Sequence, residues 1–183
     1  MGKRTIIGID PGTNLLGFGV IDVIGGKPVF VDMGVLDLRK EKDAYSKLRQ
    51  IFDTVSEVIK TYHGTEMALE SPFYGKNAQV VLKLGRAQGA AMIAALEQGL
   101  PVTEYAPREA KQAITGNGAA SKEQVGIMLE KTLGFEVKAA HLDATDALAI
   151  ALCHFYSTSS PLAGLKKSSS WEKFLKEHPE RVK

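Results

Sequence analysis

Four acidic residues have the types and spacing to hold a metal: Asp10, Glu70, Asp143 and Asp146. Asp10 closes the apolar run Ile6-Ile-Gly-Ile-Asp and is followed by Pro11-Gly12-Thr13. Glu70 closes a second run, Glu66-Met-Ala-Leu-Glu. Asp143 and Asp146 stand three apart near the start of an apolar stretch, and residues so spaced share one helix face, with Cβ atoms about 5–6 Å apart. Four gathered carboxylates repel one another unless a cation lies among them. Oxygen donors without thiolates favour Mg²⁺, with Mn²⁺ able to substitute. Two such ions about 3.5–4 Å apart suit phosphodiester cleavage, one activating water and the other stabilising the leaving oxygen.

The turn after Asp10 has a second reading. Asp-Pro-Gly-Thr can cradle the phosphates of ATP, as in sugar kinases and actin-like ATPases. That chemistry asks for a second phosphate loop, a Gly-rich adenosine site and two domains. Asp22 is followed by Val-Ile-Gly-Gly without the Thr, and 183 residues are too few for two such domains. Each acid also has an ordinary role alone, as a turn former, a solvated strand end or a carboxylate favoured by a helix dipole. Together those roles weaken. Glu70 ends an otherwise apolar strand, and Asp146 lies among Ala144, Ala147, Leu148 and Ala149, where a lone buried carboxylate is costly. His141 near the pair reads as a surface residue, a ligand or a base acting beside the ligands.

The elements that must position these acids follow from periodicity. Arg4–Asp10, Gly17–Val23 and Pro28–Leu38 read as three strands, with Gly25-Gly26 as a tight turn, and predict an antiparallel meander. Asp43–Tyr62 repeats apolar residues at helical spacing and stops at His63-Gly64. Glu66–Glu70 reads as a short buried strand, residues 71–75 as a loop, and Asn77–Gln98 as a long helix rich in Ala and Gly. Pro101–Tyr105 is a fifth strand and Arg108–Ile114 a short helix. Ser121-Lys-Glu-Gln124 is a capping box opening a helix to Leu133, and Leu142–Tyr156 is the last helix. The order βββαβα, then β and helices, predicts an α/β fold: a mixed five-stranded sheet with helices on both faces, and with strands one and four able to lie side by side. Gly85 and Gly89 of the long helix permit close approach of either the sheet or another subunit's helix.

Composition bounds the rest. A chain of 183 residues with 44% hydrophobic content can bury the core of one domain. No apolar run reaches the length of a membrane span. The start, Met1-Gly-Lys-Arg, lacks the pattern of a signal peptide. The single cysteine, Cys153, reads as a buried structural thiol. The expectation is a soluble cytoplasmic protein. Residues 160–183 carry six Lys/Arg and three Asp/Glu, whereas residues 1–159 carry 17 and 18. Any nucleic-acid surface on the folded part therefore needs its cations gathered on one face. We divide the chain into a domain at residues 1–158 and a charged, solvated or disordered tail at 159–183.

Four segments together, "GIDPGT", the "ALE" that ends a strand, "KNAQVVLKLGRAQG" and "DATDALAIALCH", resemble the RuvC family of bacterial Holliday-junction resolvases. The resemblance runs in order from Ile6 to His154. It implies a ribonuclease H-like fold, a homodimer that uses the long helix, and Mg²⁺-dependent paired nicking of four-way DNA junctions, with two ions per subunit. It further implies a T-rich cleavage context and cooperation with a branch-migration motor of the RuvA–RuvB type. By motif, Asp10, Glu70, Asp143 and Asp146 become the catalytic metal-binding acids. Phe73 matches an aromatic that stacks at the exchange point, and Tyr74 stands beside it. Lys76, Asn77, Arg108, Lys111 and Lys122 become DNA-binding positions, with Lys111 or Lys122 balancing charge that develops on the phosphate. The competing readings are a non-catalytic junction-binding module, a related nuclease that processes RNA ends, and the ATP-binding protein set aside above.

Overall fold

The computed structural model describes residues 3–71, 77–136 and 144–159. Strands β1 (Arg4–Pro11), β2 (Leu15–Ile24) and β3 (Lys27–Asp37) form the expected antiparallel meander. Gly25 and Gly26 join β2 to β3 with φ of 59° and 76°. A two-residue hairpin turn with both φ positive fits the twist of its strands, and glycine adopts it without strain.

Helix α1 (Ala44–Tyr62) begins where the Asp43 carboxylate accepts from the Ser46 amide at 2.6 Å. It ends on His63, whose φ of 55° makes it the left-handed cap. The expected stop residue, Gly64, instead leaves room for the sheet, since a Cβ there would lie 2.4 Å from Ile7 Cδ1. Strand β4 (Glu66–Glu70) then pairs parallel to β1, and β5 (Val102–Tyr105) parallel to β4, on either side of α2 (Ala78–Leu96) in sequence. The sheet order is β3-β2-β1-β4-β5. Helices α3 (Pro107–Thr115), α4 (Lys122–Leu133) and α5 (Thr145–Ser159) complete the described chain.

Each sheet face has its own core. Ile7 and Ile9 of β1 pack with Met67 and Leu69 of β4 against Ile51, Val55 and Ile59 of α1 and Ala87, Ala91 and Ala94 of α2. On the other face, Ile6 and Ala68 meet Leu148, Ala151 and Leu152 of α5, with α3 and α4 outside. Cys153 is buried in this second core, where burial pushes its thiol up to about 11. The small residues that meet the sheet from α2 are its alanines. A Cβ on Gly85 or Gly89 would have open space around it, so the sheet is not what these glycines approach.

Candidate active site

The row of β1 that faces α5 is Ile6, Gly8 and Asp10, because side chains alternate along a strand. Gly8 pairs with Gly19 of β2. A Cβ on Gly8 would lie 2.0 Å from the Ala147 carbonyl oxygen, and one on Gly19 would lie 2.5 Å from Leu148 Cα. The two glycines thus form a notch into which the α5 backbone sinks. Asp146 is the residue before Ala147, so the notch carries it to the end of the sheet where β1 stops. The last parallel pair between β1 and β4 is Ile9 with Leu69. One step further, Asp10 stands beside Glu70.

Helix α5 runs antiparallel to β4 and is held near both ends of it. Eight residues of helix from Asp146 to His154 cover about 12 Å. Four steps of strand from Glu66 to Glu70 cover about 13 Å. Glu70 meets the field of Asp146 at one end. At the other end, His154 Nε2 lies 2.7 Å from Glu66 Oε2, and His154 Nδ1 lies 2.9 Å from the Tyr105 hydroxyl. Both ring nitrogens of His154 are thereby partnered. Arg4 closes the network, donating to the two Glu66 carboxylate oxygens at 2.6 and 2.8 Å, to Ser159 Oγ at 3.1 Å and to Thr158 Oγ1.

Two open clefts meet at Glu70. One, of about 150 Å³, is lined by Asp10, Pro11, Gly12 and Ser71 and by Leu84 and Gln88 of α2. The other, of about 210 Å³, is lined by Lys111 of α3, Lys122 of α4 and Asp146 and Ala149 of α5. The capping box at Ser121 and Gln124 starts α4 and presents Lys122 in its first turn. From there Lys122 Nζ reaches Asp146 Oδ2 at 2.6 Å. The Glu70 carboxyl is pushed up to about 8, first by burial and then by the charges of Asp10 and Asp146, with Lys122 and Lys111 opposing them. Glu70, partly buried beside two other carboxylates, is left short of compensating positive charge. The all-oxygen chemistry of the three carboxylates fits a hard divalent cation. Among the described residues, no group of three or more His, Cys, Asp or Glu side chains closes tightly enough to hold a metal by itself.

Five of the residues singled out in the sequence, Asp10, Glu70, Asp146, Lys111 and Lys122, therefore line one continuous region. Asn77 caps α2, its side-chain oxygen accepting from the Gln79 amide at 3.0 Å and the Val80 amide at 3.4 Å. Arg108 is exposed and lies over the turn at Gly118, where a Cβ would meet Arg108 Cγ at 2.6 Å. It lines neither cleft. Asp143, His141, Phe73, Tyr74 and Lys76, together with the tail from 160, lie outside the described residues. Two features escape a reading of the sequence. Gln88 is buried and donates to Glu104 Oε1 at 2.9 Å while lining the Asp10 cleft. Its signal is a lone polar residue on the alanine face of α2. The Glu66–His154 pair is the other, and its signal is the equal length of the two segments it joins.

A five-stranded mixed sheet carrying acids at the ends of β1 and β4, with a third on the helix packed across them, defines a ribonuclease H-like α/β protein. The model of the family described as crossover junction endodeoxyribonuclease RuvC matches residues 6–154, and the chain belongs to that family. Its relatives include the crossover junction endodeoxyribonuclease RuvC of Bacteroides fragilis, 51% identical across 99% of this chain and 97% of the relative. That of Porphyromonas gingivalis is 49% identical across 99% and 98%. Among solved structures, Thermus thermophilus RuvC in complex with a Holliday junction substrate superposes with a TM-score of 0.75, at 35% identity over 84% of this chain and 94% of that one. Among the described residues, no helix is long and apolar enough to cross a membrane.

Proposed function

We propose that this protein is a structure-selective endodeoxyribonuclease that resolves four-way (Holliday) DNA junctions by paired symmetric nicks, in recombination and repair. The observation that carries this reading is the gathering of Asp10, Glu70 and Asp146 on two clefts that meet at Glu70, in a chain of the RuvC family. The junction-bound T. thermophilus relative supports the choice of substrate.

Asp10, Glu70, Asp143 and Asp146 would hold Mg²⁺, two ions per subunit, with Mn²⁺ able to substitute. When bound, the metal supplies a Lewis acid and an activated water for hydrolysis that leaves 5′-phosphate and 3′-hydroxyl ends. The chain's own residues do the positioning. The Gly8–Gly19 notch fixes the distance between α5 and the strand ends, and so fixes Asp146 against Asp10 and Glu70. Lys122 keeps an ammonium beside the carboxylates, where it meets negative charge growing on the scissile phosphate. Lys111, on the same cleft, holds the backbone of the DNA. Phe73 and Tyr74, three and four positions after Glu70 in the sequence, would stack on bases at the exchange point. Lys76, Asn77 and Arg108 would contact the backbone further out.

Two symmetry-related nicks ask for two active sites, and we propose a homodimer built on α2. Val80, Leu82, Ile93 and Leu96 are exposed on that helix, and Gly85 and Gly89 leave room over it for close approach. On this reading residues 1–158 are the nuclease domain, the protein works in the cytoplasm, and a RuvA–RuvB-type motor delivers its junctions. A module that only bound junctions would gain nothing from carboxylates that repel one another. The test is Asp10→Asn, a variant that should bind a synthetic four-way junction and not nick it. Nicking at the wild-type rate overturns the site.

A further inference from the structure

We propose a second phosphate site, on the opposite side of the Asp10 turn from α5, that grips the backbone of the cut strand next to the scissile position. The site presupposes the resolvase reading above and adds a contact that the acids and their flanking lysines do not supply.

The site is a cleft of about 210 Å³ between the β1–β2 turn, the start of α1 and the middle of α2. Its buried lining is Ile51 and Ala87; Thr13 and Asn14 line it from the turn, and four cations, Lys42, Lys47, Lys83 and Arg86, line it with Tyr45. Among the described residues, no carboxylate lines it. Among the described residues, none of the four cations is in an ion pair. The acids nearest in sequence are already engaged. Asp43 accepts from the Ser46 amide at 2.6 Å, and Glu41 accepts from the Asp43 amide at 2.9 Å and from Gln50 Nε2 at 3.2 Å. Four cations converging without an anion repel one another, and a phosphate resolves that repulsion. Arg86 offers it a planar fork and the lysines offer point charges.

Two features favour a nucleic-acid backbone over a free phosphate. Tyr45 is 77% exposed at the rim, and an exposed aromatic beside cations gives a face for a sugar or base. The lining also continues the turn that follows Asp10. Asp10, Pro11 and Gly12 line the neighbouring cleft, and Thr13 and Asn14 line this one. Lys47 Nζ donates to the Thr13 carbonyl at 3.0 Å, so it ties the turn to α1 and the phosphate site to the position of Asp10. A strand that lies across the acids runs on over Gly12 into the cations.

The test is a neutral-backbone scan. Junctions with one methylphosphonate at successive positions around the cut are bound in EDTA to wild type and to Lys83→Gln, whose altered side chain is exposed. Wild type should lose affinity at a position to which the variant is indifferent, and the variant's salt slope should be shallower by about 0.9 for the one phosphate lost. Lys42→Gln, from the other wall of the cleft, should erase the same position. Identical position profiles and equal salt slopes for all three proteins overturn the inference and leave the resolvase reading standing. A wild type that does not bind the junction overturns both.

Discussion

Gly8 of β1 and Ala147 of α5 pack backbone against backbone, so closely that a Cβ on Gly8 would lie 2.0 Å from the Ala147 carbonyl oxygen. This contact sets the height of α5 above the sheet, and Asp146 rides on it. Gly8→Ala should therefore cost about 1–3 kcal/mol through overpacking and reduce nicking further by lifting Asp146 away from Asp10. A Cβ on Gly126 of α4 would meet nothing within 4 Å, and Gly126→Ala should stabilise by about 0.5–1 kcal/mol. Urea titration of both variants checks the contrast; a Gly8→Ala protein as stable and active as wild type would deny the notch any part in placing Asp146.

A metal seated on Glu70, as we propose, would bind with a pH dependence. The Glu70 carboxyl is raised to about 8 in the metal-free chain. A raised carboxyl binds more protons folded than unfolded, so it withdraws stability as pH climbs from the ordinary carboxylate range through about 8. A divalent ion needs the deprotonated group and restores what was lost. Melting curves with and without Mg²⁺ should show a larger gain in Tm at about pH 9 than at about pH 6. An equal gain at both would contradict a metal seated on Glu70.

Glu66 has the opposite sign. The Arg4 hydrogen bonds, working against burial and helped by His154, hold its carboxyl below the usual range. Stability from a lowered carboxyl is present above its unfolded pKa and is lost as pH falls through the folded one. Glu66→Gln should cost about 1–3 kcal/mol at neutral pH, and the gap to wild type should shrink in acid. Denaturant midpoints across that range check it; a constant gap would show that the loss is not electrostatic.

We propose that Lys122 acts on rate more than on binding. Lys122→Ala should slow nicking by about 100–1,000-fold while junction affinity falls far less. Single-turnover cleavage at saturating protein separates the two. A variant that binds weakly but cuts at full rate when saturated would make Lys122 a backbone contact only.

Periodicity makes much of the fold legible. A continuous apolar run marks β1 and alternation marks β2, and the runs ending at Asp10 and Glu70 mark the strand ends whose adjacency makes the site. Contacts set by partners distant in sequence are less legible. Gly8 and Gly19 look like ordinary strand glycines until α5 is laid on them. Glu66 reads as the first residue of a strand, and its value depends on His154, 88 residues away. The cap of α1 falls one residue before the glycine that a stop signal favours. His63 takes the left-handed turn, and Gly64 is needed for the space it leaves to Ile7. Gln88 is hidden because the composition of α2 speaks of packing.

The most direct measurement is cleavage of a four-way junction labelled on opposite strands, beside a linear duplex of the same sequence, in Mg²⁺ and in EDTA. A metal-dependent resolvase makes paired nicks at symmetric positions on the junction alone, and none in EDTA. Cutting of the linear duplex at the same rate, or undiminished cutting in EDTA, would contradict it.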